Sequence, residues 1–143
     1  MKIHFFTIFL ALIGCLLNAQ LEEKAIRASL QGYIDGSSYN DPEKIVAPFY
    51  EDARMFLSKK DQPIYILSPA AYAALFEKRE KGVFNGRVGT ILGIDQQHDI
   101  ATAKVEILMA KEKLRFIDLF LLKKMQGEWK IISKAATLMP DKD

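Results

Sequence analysis

Hydrophobic residues change their spacing four times along this chain, and each change marks an element. Residues 5–17 are almost uninterruptedly apolar after the short start Met1-Lys2-Ile3-His4, and the run ends in Asn18-Ala19-Gln20. From Leu21 the period becomes helical, with Ile26, Leu30, Tyr33 and Ile34 at i, i+4, i+7 and i+8 on one face. Gly36-Ser37-Ser38 ends that face. Asp41-Pro42-Glu43 then starts a short helix, because an Asp side chain accepts from an exposed amide and Pro needs no partner at the first helical position. This helix carries Ile45, Val46 and Phe49 inward and is stopped or bent near Pro48. Residues 53–57 and 64–67 read as short strands joined by a polar turn from Ser58 to Pro63. Ser68-Pro69 opens a further helix bearing Tyr72, Leu75 and Phe76, which Lys81-Gly82 closes.

After Phe84-Asn85-Gly86 the period falls to two, and residues 88–94, 101–109, 114–122 and 129–135 predict four longer strands. Gly89 and Gly93, four apart, fall on one face of the first and leave room for a helix or a bend to come close. In the last strand, alternation puts Lys130 and Lys134 opposite the apolar positions. Links such as Lys111-Glu112-Lys113 and Gln126-Gly127-Glu128 are too short for a parallel crossover, so consecutive strands are expected to pair as an antiparallel meander. Helices grouped first and strands afterwards predict an α+β domain with the helices covering one sheet face.

The opening run has the form of a secretory signal peptide, too short for a comfortable membrane span. Two processing routes stay open: cleavage after Ala19, or a lipobox at Leu12-Ile13-Gly14-Cys15 that would make Cys15 a lipidated N-terminus. Cleavage is the preferred route because Leu16-Leu17 continue the apolar run past the cysteine. Residues 1–19 are thus expected to be a signal and 20–143 one exported domain, periplasmic or secreted. Cleavage would remove the only cysteine, so the mature chain would have no disulfide framework and no thiol nucleophile or thiolate metal site. With 20 Lys+Arg against 18 Asp+Glu, scattered along the chain, no basic face for nucleic acid is expected. Glycine-rich phosphate loops, Gly-x-Ser-x-Gly and His-Glu-x-x-His are missing from the sequence. His98 would be the only mature histidine and falls in a turn, so neither a metal cluster nor a triad is expected.

Asp41-Pro42-Glu43 followed by Phe49-Tyr50-Glu51-Asp52-Ala53-Arg54, and the hairpin from Arg115-Phe116-Ile117-Asp118 through Gly127-Glu128-Trp129-Lys130-Ile131, resemble the nuclear transport factor 2-like superfamily. The likeness runs over residues 21–138 and is strongest to the branch of putative lumazine-binding proteins. It implies a cone in which a strongly curved antiparallel sheet wraps N-terminal helices around an internal pocket. It also implies that a homodimer can form through the sheet. Fold does not fix function, and the superfamily includes isomerases, dehydratases, cyclases, transport factors and pocketed proteins of no known chemistry.

Asp118 is the first candidate for chemistry. It interrupts an apolar strand on the face of Phe116, Phe120 and Leu122, where a carboxylate needs a partner, a hydrogen bond or water. It is read as a structural carboxylate, a ligand contact or a general base. Arg54 is its natural partner to test, with a planar donor fork suited to a carboxylate. Tyr33, Phe49, Tyr72, Phe76, Phe116 and Trp129 are candidate aromatic linings of a ligand pocket or else plain core. The preferred function is an exported, cofactor-free module that binds a small apolar or aromatic molecule. The alternatives are an isomerase, dehydratase or cyclase using Asp118, with Tyr33 or Tyr72 as second proton carrier, and a dimeric interaction domain.

Overall fold

A computed structural model describes the backbone of residues 2–140 and the side chains of residues 17–140. Helix α1 (Lys2–Ser38) runs without a break from the apolar leader into the amphipathic stretch. The signal and lipobox expectations, Cys15 included, fall mainly on side chains outside the described residues. Among the described residues no helix is long and apolar enough to cross a membrane.

The inward stripe of α1 is the one its spacing predicts: Ile26, Leu30, Tyr33 and Ile34 are buried, and Ser37 extends it by one turn. The short helix α2 (Pro42–Val46) is capped by Asp41, whose side chain accepts from the Lys44 amide. The two helices cross where α1 has a glycine. A Cβ on Gly36 would lie 2.6 Å from the backbone nitrogen of Ile45, a contact no side chain can make.

Six strands follow: β1 (Phe49–Lys59), β2 (Gln62–Leu67), β3 (Arg87–Gln97), β4 (Ile100–Met109), β5 (Leu114–Met125) and β6 (Glu128–Leu138). Helix α3 (Pro69–Ala74) lies between β2 and β3 and is capped by Ser68. It ends seven residues before the expected stop at Lys81; bonds such as Phe76 to Ala73 and Arg79 to Phe76 tighten the chain into i to i+3 turns beyond it. The strand order is β2-β1-β6-β5-β4-β3. The meander from β3 to β6 is antiparallel as predicted, but β6 returns beside β1 in parallel, so the curved, unclosed sheet is mixed. The turn-by-turn reading missed that pair because its partners are separated by five other elements.

Two bulges change which way side chains point. In β3, Leu92 is the extra residue between the Ile91–Val105 and Gly93–Lys104 pairings. Gly89 therefore faces inward, where a Cβ would lie 2.8 Å from the Ile34 side chain of α1, while Gly93 faces outward; they do not share a face. In β6, Ile132 is extra between the Ile131–Leu122 and Ser133–Leu121 pairings. Trp129 and Ile131 point inward, and past the bulge so does Lys134, which strict alternation placed on the outer face with Lys130.

Candidate functional site

The bulge at Ile132 brings a lysine into the protein interior beside the buried Asp118. Lys134 stands across from Phe120 in the β5–β6 ladder, and Asp118 lies two residues away on the same inner face. Lys134 Nζ donates to Asp118 Oδ2 over 2.5 Å, with the two side chains 4% and 2% exposed. Three rings surround the ammonium: the centroids of Tyr33, Tyr72 and Phe120 lie 5.3, 5.8 and 5.9 Å from it. Cation–π attraction and the carboxylate together replace the water the lysine has lost.

A second buried cation stands beside this pair. Arg87, the first residue of β3, donates from Nη1 to Ser37 Oγ over 2.8 Å and from Nη2 to the Tyr33 hydroxyl over 3.3 Å. Its guanidinium also lies over the Tyr33 ring, 5.3 Å from the centroid. Asn85 puts it there. The Asn85 amide donates to the Ser37 carbonyl and to Asn40 Oδ1, and Asn85 Oδ1 accepts from the Arg87 amide, which ties the start of β3 to the end of α1. No carboxylate lies within ion-pair distance of Arg87 among the described residues.

Burial pushes the Tyr33 hydroxyl well above its ordinary range, Tyr72 and Asp118 adding to the rise and Arg87 opposing it. Tyr33 is therefore a neutral donor and acceptor near neutrality. Burial works against the charge on Arg87, but the fields of Tyr33, Tyr72 and Asp118 raise its affinity for the proton above the ordinary value, and it stays cationic.

These groups border a cavity of about 170 Å³ walled by Tyr65, Tyr72 and Phe116, with Arg87, Asp118 and Lys134 at its polar side. Of the residues singled out from sequence, Tyr72, Phe116 and Asp118 line it, and Tyr33 lies beneath them. Phe49 packs edge-on against Tyr33 at 5.5 Å, and Phe76 packs against Tyr72 at 5.3 Å, so both support the wall from behind. Arg54 is not the partner of Asp118. It is exposed, and its Nη1 donates to the carbonyls of Asp52 and Ala53. Trp129 is buried about three turns before Tyr33 along α1, where its indole donates to Glu22 over 2.7 Å. His98 is an exposed turn residue with φ of 54°. Among the described residues no group of His, Cys, Asp or Glu is placed to hold a metal ion.

Sequence reasoning missed Arg87, Lys134, Ser37 and Tyr65. Arg87 was within reach, since period two counted back from Gly89 puts it on the inner face. Lys134 was not, because its inward turn depends on the bulge.

A family model described as "Putative lumazine-binding" matches residues 21–135. Among solved structures, the fold is shared with a nuclear transport factor 2-like protein of unknown function from Shewanella baltica (TM-score 0.72, 22% identity, 85% of this chain and 96% of that one). A second such protein, from Silicibacter pomeroyi, aligns with TM-score 0.73 and 21% identity over 85% of this chain and 98% of that one. The association domain of CaMKII from C. elegans aligns with TM-score 0.63 and 12% identity over 82% and 96%. No curated protein matches the chain significantly.

Proposed function

The chain belongs to the putative lumazine-binding family, and on that premise we propose that it is a binding module holding a small molecule in the cavity beside Asp118 and Lys134. The observation that carries this reading is the cavity itself: about 170 Å³ of open space between aromatic walls and a cluster of buried polar groups. A cavity of about 150 Å³ is enough for one benzene-sized ring, so the space suits a single ring or a short chain. Binding is favoured over proton transfer because Asp118 is held in an ion pair with Lys134, and a general base needs a carboxylate free to take a proton.

The leader motivates the proposal that the mature chain starts at Gln20 and is exported. The outer sheet face, where Val88, Leu108, Leu119 and Leu121 are exposed, motivates a homodimer through the sheet.

Native mass spectrometry of the protein purified from its own source tests all three. The expected result is a subunit mass beginning at Gln20, twice that mass under gentle conditions, and a small molecule that leaves on activation. A mass carrying the leader, or a lipid on Cys15, would reject cleavage after Ala19; a monomer at high concentration would reject the dimer. Ala136→Leu fills the cavity from a position opposite Asp118. If wild type binds no copurified molecule and no single-ring compound, or if Ala136→Leu binds as well as wild type, the binding site is not this cavity.

A further inference from the structure

The charges around the cavity do not balance. The cavity lining brings together two cations, Arg87 and Lys134, and one carboxylate, Asp118. Asp118 is taken by Lys134, in direct contact. Arg87 is only 6% exposed and reaches two neutral acceptors, the hydroxyls of Ser37 and Tyr33. A buried guanidinium with no counter-charge is costly, and hydroxyl acceptors recover only part of its hydration. The end of α1 at Ser38 lies against it and contributes about half a negative charge through the helix dipole. A positive remainder faces the open space.

We infer that the cavity selects a ligand with a single negative charge, a small monocarboxylate whose anionic end is received by Arg87 while its apolar body lies between Tyr65, Tyr72 and Phe116. This rests on the binding reading above and adds the ligand's charge class to it. The excess lies between about half a charge, with the helix dipole counted in full, and one without it, so a single negative charge is the ligand charge that offsets it. A phosphate monoester, at roughly −1.5 to −2, would overshoot it. The planar guanidinium also matches the two oxygens of a carboxylate, which a lysine does not. At the rim, Lys59 stands over the Tyr65 ring, 5.6 Å from its centroid, and adds attraction for an incoming anion.

Three probes of one shape separate charge from fit: benzoate, benzamide and phenyl phosphate, titrated into wild-type protein at neutral pH by calorimetry, with the Arg87 Nε–H signal followed by NMR. Benzoate is expected to bind at least about tenfold more tightly than either of the others, the range a lost charged hydrogen bond produces, and to shift the Arg87 signal. Arg87→Met is expected to abolish the preference for benzoate over benzamide, and Ala136→Leu to weaken both. The NMR signal keeps the test decisive if Arg87→Met folds poorly. Equal binding of benzoate and benzamide would overturn the charge inference and leave the binding site standing, the helix terminus then being counter-charge enough. Binding of none of the probes would overturn both.

Discussion

The two ends of the cone contain the same pairing, a lysine from the β5–β6 hairpin against a carboxylate, with opposite consequences. At the Trp129 end, Lys124 and Trp129 donate to the two oxygens of Glu22 on α1. The lysine and glutamate side chains stay 33% and 19% exposed, and the pair fastens the helix over a filled core that includes Ile26, Leu122 and Ile131. At the other end, Lys134 and Asp118 are nearly sealed from water and border a space left open. A carboxylate–lysine contact over 2.5 Å thus serves as a clasp where water reaches it and as a polar wall where water does not. Burial separates the two roles, and a one-residue bulge determines burial for Lys134.

Breaking the buried pair should have the largest effect. Asp118→Asn leaves two interior cations without a carboxylate and is expected to lower stability by about 3–5 kcal/mol, read by urea denaturation. Replacing both partners, as in Asp118→Leu with Lys134→Met, should recover most of that loss, since an apolar pair of similar volume removes both desolvation penalties. A double variant as unstable as the single would mean that Asp118 chiefly balances Arg87.

The same operation at the other end should be far milder. Glu22→Gln is expected to cost about 1 kcal/mol or less, as for other solvent-reached pairs. It should also change the response to acid. The hydrogen bond from Lys124, then that from Trp129, holds the Glu22 carboxyl below its ordinary value of 4.5. A carboxyl depressed in the folded state contributes stability above its unfolded value, and the contribution is lost as pH falls through the lower, folded one. Wild type should therefore lose stability on acidification below 4.5, and Glu22→Gln should lose less over the same window. Identical acid curves for the two would remove the clasp as a source of stability.

Much of this fold was legible because it depends on local spacing. The buried stripe of α1, the Asp41 and Ser68 caps, the four strands of the meander and the interior position of Asp118 all follow from periods of 3.6 and two, read over a few residues. The resemblance to a cone of sheet around helices carried the architecture further than periodicity could. The candidate site was only partly legible. Tyr33, Tyr72, Phe116 and Asp118 come together, whereas Arg54 turns back on its own strand and Trp129 joins the opposite end.

Sequence by itself determined which face each strand segment presents between irregularities, because side chains alternate and burial of the apolar set is strongly favoured. Tertiary structure decided the parallel β1–β6 pair, the opposite facing of Gly89 and Gly93, and the meeting of Lys134 with Asp118. Pairing between distant strands and the position of an extra residue depend on how neighbouring strands must bend to close over α1. A bulge of one residue leaves no mark in the alternation before it and reverses the alternation after it.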